Sequence, residues 1–237
     1  MDNMLKNSLV SIGIEPDEDK INKLNRYYEM LVEKNKVMNL TAITEYEDVV
    51  IKHFIDSLAV VHAFPLDNVN KIIDVGTGAG FPGIVLKTYF PKISFTLLDS
   101  LNKRIKFLDE VKEELKLDNL ENVHGRAEDY AHMPKYREQY DLCVSRAVAN
   151  LATLSEYCLP FVKKGGYFIS YKAKDCMEEI NSAKKAIDML GGQIKEIIDY
   201  TIPGTEITRT FVVIHKIKNT SSKYPRKAGC PSKEPLK

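Results

Sequence analysis

The chain of 237 residues sets 34 Lys+Arg against 33 Asp+Glu and is 44% hydrophobic, which excludes a mostly disordered chain and suffices for one large domain or two small ones. A formal net charge of +1 excludes a uniformly cationic nucleic-acid binder, so any RNA contact must come from local clustering. The cysteines Cys143, Cys158, Cys176 and Cys230 form no C-x-x-C pair, which argues against a zinc or dithiol site and for reduced, packed thiols in a cytoplasmic protein. No metal is expected. The first residues carry no basic stretch leading into an apolar segment, and no apolar run approaches the roughly 20 residues that span a bilayer, so no membrane association is expected. The balanced total hides three regions: residues 1–70 hold 7 basic and 12 acidic residues, residues 71–215 hold 20 of each, and residues 216–237 hold 7 and 1.

In chain order, Ile21, Leu24, Tyr27, Tyr28, Leu31 and Val32 fall at helical spacing and predict a helix over 17–35. Thr44 to Glu47 offers a capping box for a second helix carrying Val49, Val50, His53, Phe54, Leu58 and Val61, with Asn39-Leu40-Thr41 in the connection. From Lys71 β-rich runs alternate with helical stretches: strands near 72–75, 94–98, 122–124, 142–145 and 167–171, helices near 81–89, 103–117, 150–161 and 177–190. Such alternation implies a parallel sheet with helices on both faces. Two further strands, 194–200 and 208–214, have only Pro203-Gly204 between them and should pair antiparallel, closing the sheet with a reversed edge. The expected divisions are a helical extension over 1–70, an α/β domain over 71–217 and a basic tail over 218–237, read as a loop or mobile arm.

The strongest local signal is Asp74-Val75-Gly76-Thr77-Gly78-Ala79-Gly80-Phe81-Pro82-Gly83, a strand running through glycines into a helix. Pro82 suits a first helical turn, and free N–H groups at that helix start would attract an anion. Gly78 to Gly83 is followed by Ile84-Val85 rather than Lys-Ser/Thr, so a P-loop is excluded. The stretch also fits G-x-G-x-x-G, with Asp99 lying 21 residues beyond Gly78 where a ribose-binding acid belongs, so a nicotinamide-dependent oxidoreductase stays open. Read instead as an acid followed by G-x-G-x-G, it resembles the first motif of Rossmann-like S-adenosylmethionine-dependent methyltransferases. The preceding helical region and the antiparallel finish favour that second reading. Asp99 is a ribose ligand in either, or else the N-cap of the next helix.

The chain as a whole resembles the RsmG (GidB) methyltransferases, which make N7-methylguanosine in 16S ribosomal RNA of the small subunit. The resemblance rests on Asn39-Leu40-Thr41-Ala42-Ile43, His53-Phe54-Ile55-Asp56-Ser57-Leu58, the glycine loop with its Phe81-Pro82-Gly83 extension, Leu97-Leu98-Asp99-Ser100, Ser145-Arg146-Ala147 and Tyr224-Pro225-Arg226-Lys227-Ala228-Gly229. It implies an S-adenosylmethionine site comprising Asp74, Gly76, Gly78, Gly80, Phe81, Asp99, Ala127, Glu128 and Arg146, with Ala127-Glu128 on the adenine. A non-catalytic nucleotide-binding protein associated with the ribosome is the third reading, since a cofactor pocket does not prove turnover.

Guanine N7 offers an in-plane lone pair and carries no proton, so methylation there needs no general base, only alignment and electrostatics. Consistent with this, Val144-Ser145-Arg146-Ala147-Val148 holds no D/N-P-P-Y/F motif of the kind that exocyclic-amine methylation uses, and Cys158 and Cys143 sit in apolar patterns typical of core thiols rather than nucleophiles. Arg146 suits cofactor, guanine O6/N7 or phosphate, or a structural salt bridge. Asn39 is a candidate for substrate positioning; His53 is either a hydrogen-bonded structural residue or a substrate ligand. Lys172, Lys223, Arg226 and Lys227 are the candidate RNA contacts. The expected state is a monomer.

Overall fold

A computed structural model describes residues 2–237. Seven strands, β1 (Lys71–Val75), β2 (Ser94–Asp99), β3 (Leu120–His124), β4 (Tyr140–Arg146), β5 (Val162–Ala173), β6 (Gly192–Thr201) and β7 (Thr208–Lys216), form one sheet in the order β3-β2-β1-β4-β5-β7-β6. β1 to β5 are mutually parallel, and β7 is antiparallel to both β5 and β6. The antiparallel finish is therefore present, with one refinement. The reversed strand lies one position in from the edge, and the outermost strand β6 runs in the same sense as the parallel set. This reversal sets the start of β7 beside the end of β5, where Arg209 pairs with Ala173.

The helices are α1 (Asp2–Ser11), α2 (Glu18–Met38), α3 (Tyr46–Val49), α4 (Asp56–Leu58), α5 (Gly83–Tyr89), α6 (Asn102–Glu114), α7 (Ala127–Tyr130), α8 (Leu151–Cys158), α9 (Met177–Met189) and α10 (Cys230–Lys233). Asp17 caps α2 by accepting from the Lys20 amide at 3.2 Å, and Asn39 ends it in the left-handed conformation with φ 48°. α1 was not expected; its buried Leu5 and Leu9 dock it against the next helices. The capping box at Thr44 does not form: α3 starts after Glu45, whose side chain makes no cap bond, while the Thr44 carbonyl accepts from the Tyr28 hydroxyl at 3.1 Å. Between α3 and α4 the chain widens into a π-helical segment, Val50–Ile55, which carries His53.

The N-terminal helices have a reason to be there. One face of the sheet is covered by α8 and α9, whose Leu154, Cys158, Ile180 and Ile187 pack on Cys143, Phe168, Val212 and Ile214. The opposite face has α5 and α6 over one half only. Its other half, Val144, Ile169, Phe211 and Val213, shares a continuous core with Phe54, Ile55 and Leu58 of the N-terminal segment. Burial of that face at about 25 cal/mol per Å² is what binds residues 1–70 to the rest. The tail is not a mobile arm: Tyr224 and Pro231 are buried, and Thr220 is buried on the Leu190 carbonyl. Among the described residues no helix is long and apolar enough to cross a membrane.

Candidate functional site

Two cavities open where the parallel strands end. The first, about 390 Å³, is lined by Val75 and Gly76 after β1, Leu98 and Asp99 at the end of β2, Ala127 and Glu128 at the start of α7, Ala147 and Val148 after β4, and Tyr157 of α8. The second, about 580 Å³, is lined by Ile43, Lys52, His53, Arg146, Tyr171, Lys172, Ile207 and Arg209, and shares Ala147 with the first. Strand ends supply both because successive strands of a parallel sheet deliver their carboxyl termini to one edge, where the chain must turn and side chains are free to converge.

The first cavity brings two carboxylates, Asp99 and Glu128, to one wall. Asp99 is 3% exposed, and its carboxylate accepts from the Gly78 amide at 2.9 Å, the Leu101 amide at 2.8 Å and Arg104 at 3.2 Å. It does not cap α6, which begins after Leu101. Glu128 is buried, and its carboxylate accepts from the Gly229 amide at 2.9 Å. Gly76 and Gly78 have φ of 73° and 63°, a region only glycine enters without strain. Gly78 lines neither cavity, and a Cβ on it would meet nothing within 4 Å; Gly76 lines the first, and a Cβ on it would come within 2.5 Å of Val148. Open backbone, a bonded acid and an apolar wall fit the expected cofactor.

Other residues expected in that site stand behind it. Asp74 lies fully buried beneath the loop and lines neither cavity; one carboxylate oxygen accepts from Thr77 Oγ1 at 2.7 Å and the Gly83 amide at 2.9 Å, and the other is buried with no partner. The helix start expected to attract an anionic ligand is thus taken by the protein's own carboxylate. Gly80 is a packing position, with Ile84, Leu108 and the Tyr27 hydroxyl under 3 Å from any added Cβ. Phe81 lines neither cavity; it packs into an aromatic cluster, with ring centroids 4.3 Å from His53 and 5.4 Å from Tyr27. Gly80 and Phe81 shape the loop from below, where the N-terminal helices meet it.

The second cavity is cationic and built around a carboxylate that sequence reasoning missed. Asp56 of α4, fully buried, accepts from Arg146 at 2.5 Å on one oxygen and from Arg209 at 2.5 Å on the other. Arg146 also donates to the Lys52 carbonyl at 3.1 Å, lies 3.3 Å from His53 Nδ1 and sits over the Phe81 ring. The salt bridge and the ligand role foreseen for Arg146 are therefore compatible, since the arginine is both fixed and at a cavity wall. Asp56 and Arg209 are 153 residues apart; the signals at Asp56 were its place in the His53–Leu58 stretch of the family resemblance and its position three residues after His53.

Of the remaining candidates, Lys172 lines the cavity but is held by Glu179 at 2.6 Å and the Ala149 carbonyl at 2.9 Å. Arg226 is not a free cation: it grips the fully buried Glu156, with contacts of 2.7 to 3.2 Å. Lys223 and Lys227 are exposed. Asn39 is exposed at the end of α2 and lines neither cavity.

Burial pushes the Asp74 carboxyl up from 3.8 to about 7, against the pull of its two hydrogen bonds and of Arg146. Burial, with the positive charge of Arg146, pushes His53 down from 6.5 to about 4. Between pH 3.8 and 7 the folded chain holds more protons on Asp74 than the unfolded chain does, so this group lowers stability as pH rises. Between pH 4 and 6.5 the folded chain holds fewer on His53, so that group raises stability as pH rises. Melting temperatures measured across this range should separate the two. The two contributions oppose each other between pH 4 and 6.5, so Asp74→Asn, which keeps an oxygen for Thr77 and Gly83, should make stability rise with pH relative to the parent, and His53→Gln should make it fall.

The model of the family described as rRNA small subunit methyltransferase G (GidB) matches residues 20–207. The chain is 53% identical over 234 residues to the ribosomal RNA small subunit methyltransferase G of Clostridium tetani, and 55% identical over 234 residues to that of Alkaliphilus oremlandii; each alignment covers 99% of this chain and 98% of the relative. Among solved structures, TrmN from Thermus thermophilus superposes with a TM-score of 0.53 at 14% identity, over 69% of this chain and 48% of that one. M. jannaschii TYW2 in complex with AdoMet gives 0.51 at 17% identity, over 64% and 70%. These two share the fold. With the family model and full-length relatives in agreement, the chain belongs to the rRNA small subunit methyltransferase G (GidB) family of methyltransferases.

Proposed function

We propose that the protein methylates N7 of a guanine in 16S ribosomal RNA, with S-adenosylmethionine as donor and the two cavities as cofactor and base sites. The observation that carries this reading is their junction: a cavity holding the Asp99 and Glu128 carboxylates adjoins a cationic one, with Ala147 lining both. In the first, the Gly76 backbone would border the cofactor, Asp99 would accept from its ribose hydroxyls, and Ala127 and Glu128 would border its adenine. The cofactor supplies an electrophilic methyl group on a sulfonium.

In the second cavity the protein's task is to orient and to stabilise charge. The two Nη1 protons of Arg146 go to Asp56 and the Lys52 carbonyl, and Nη2 lies 3.3 Å from His53 Nδ1, which leaves Nε–H and Nη2 as donors for guanine O6, the acceptor beside N7. His53, held neutral near pH 7, is not needed as a base, because N7 has no proton to lose. Tyr171, buried with its hydroxyl on the Ser57 carbonyl at 2.9 Å, and Ile207 supply apolar surface that excludes water. Arg209, held by Asp56, and Lys52, held by Asp48, line the cavity and would contact phosphates together with Lys223 and Lys227 on the tail, an effect that should fall with salt. Lys172, at the cavity wall, would contact the RNA, and Asn39 is the candidate for substrate positioning. We place the protein in the cytoplasm with its ribosomal substrate, acting as a monomer.

The test is to incubate the protein with methyl-labelled S-adenosylmethionine and either naked 16S RNA or the small subunit, then digest the RNA. Label in 7-methylguanosine is the expected result, and label in any other nucleoside overturns the assignment. Binding of a nicotinamide dinucleotide without S-adenosylmethionine would favour an oxidoreductase, and cofactor binding with no transfer to either substrate a non-catalytic role.

A further inference from the structure

The tail is bound to the two elements that flank one end of the first cavity. On one side, Pro225 O lies 2.8 Å from His132 Nε2, just beyond α7, and the Tyr224 carbonyl accepts from Arg137 at 2.9 Å. On the other, Glu156 of α8 takes the Arg226 guanidinium on both oxygens and the Arg226 amide at 2.7 Å, and Thr153 donates to the Pro231 carbonyl at 2.9 Å. Glu156 is fully buried, and its neighbour Tyr157 lines the cavity. Between these anchors the chain turns at Gly229, φ 84°, and its amide reaches the Glu128 carboxylate.

We infer that residues 224–231 are a built part of the cofactor site: a strap, locked by the Glu156–Arg226 pair, whose Gly229 amide positions the Glu128 side chain in the cavity. The physical requirement is plain. A glutamate side chain has three rotatable torsions, and a carboxylate at a cavity wall stays in one place only if something holds it. On the protein side that donor comes from the strap. Arg226 therefore acts at a distance, through the strap's backbone and Gly229, and is a positioning residue for cofactor binding. The inference rests on the first cavity being the S-adenosylmethionine site, and Glu128 is its point of contact.

The probe is S-adenosylhomocysteine, with affinity measured by calorimetry and folding followed by melting temperature. Arg226→Lys keeps the charge beside Glu156 but loses the two-pronged grip, so the strap should loosen while the chain stays folded. The expected result is about tenfold weaker binding of S-adenosylhomocysteine, the size of one charge-assisted hydrogen bond lost. Because the effect passes through Glu128, Arg226→Lys should add nothing in a Glu128→Ala background; this coupling distinguishes positioning from general loosening. Undiminished binding in Arg226→Lys overturns the inference, as do penalties that simply add in the double variant. Unchanged cofactor binding with a flattened salt dependence of RNA binding would make the tail an RNA arm instead, and overturns it too. Failure of the parent protein itself to bind S-adenosylhomocysteine would count against the proposed function, and so stands apart from these outcomes.

Discussion

Asp56→Ala is expected to lower the unfolding free energy by about 3 kcal/mol and to abolish methyl transfer. Removing one partner of a buried ion pair costs roughly 3–5 kcal/mol, because the remaining charge is left desolvated. Here one carboxylate serves two arginines, so its loss strands both. The lower end of the range applies because Arg209 keeps 26% of its side chain exposed and recovers some hydration, whereas Arg146 keeps only 15%. Urea denaturation measures the first effect. The second follows because two like charges at one cavity wall repel once the acid between them is gone, and Arg146 leaves the position proposed for guanine O6. Asp56→Asn keeps an acceptor oxygen for one arginine but turns its NH2, a donor, toward the other, so it should recover little of the stability and little of the activity. Equal stability of Asp56→Ala and the parent would mean that the cluster contributes nothing to the fold.

Gly83→Ala and Gly78→Ala should fail in opposite ways, although both alter the same loop. A Cβ on Gly83 would collide with Leu97 Cδ2 and lie 2.8 Å from Asp74 Oδ2, inside the close-packed floor of the loop. Overpacking of this kind costs about 1–3 kcal/mol or more, and the upper end is expected because neither β2 nor the buried Asp74 can retreat. On Gly78 the same Cβ meets nothing, so the cost is the left-handed backbone alone, about 1–2 kcal/mol. Thermal melts should show a large drop for Gly83→Ala and a small one for Gly78→Ala. Calorimetry with S-adenosylhomocysteine should show a folded Gly78→Ala protein that binds about tenfold more weakly, since a strained backbone at this position displaces the amide that holds the Asp99 carboxylate of the cavity. Full affinity in Gly78→Ala would remove this glycine from the site.

What could be read from residues alone was whatever is local. Ile72 to Val75 followed by alternate glycines announces a strand and a ligand loop within a dozen positions, and the β/α alternation from Lys71 carries the sheet. What could not be read depends on partners far along the chain. Arg226 in a Pro- and Lys-rich tail reads as a solvated cation until Glu156, 70 residues earlier, is found buried beneath it. The family resemblance implies Phe81 as a cofactor residue, and its ring packs against His53 and Tyr27 of the helical layer. Thr44 to Glu47 fits a capping pattern, but the Tyr28 hydroxyl takes the Thr44 carbonyl and the helix starts later. In each case a tertiary partner outweighed a local preference.

The hydroxyl of Tyr27, buried on α2, donates to the Ala79 carbonyl inside the glycine loop. The Gly80 and Phe81 amides bond back to Thr77 within the same loop, at 2.9 and 3.0 Å. To break those bonds the loop must move away from Tyr27, and α2 is held by Ile21, Leu24 and Leu31 in the shared core. Amide hydrogens of Gly80 and Phe81 should therefore exchange with solvent deuterium at the rate of the middle of α2, as one cooperative unit, and not at the rate of an exposed turn.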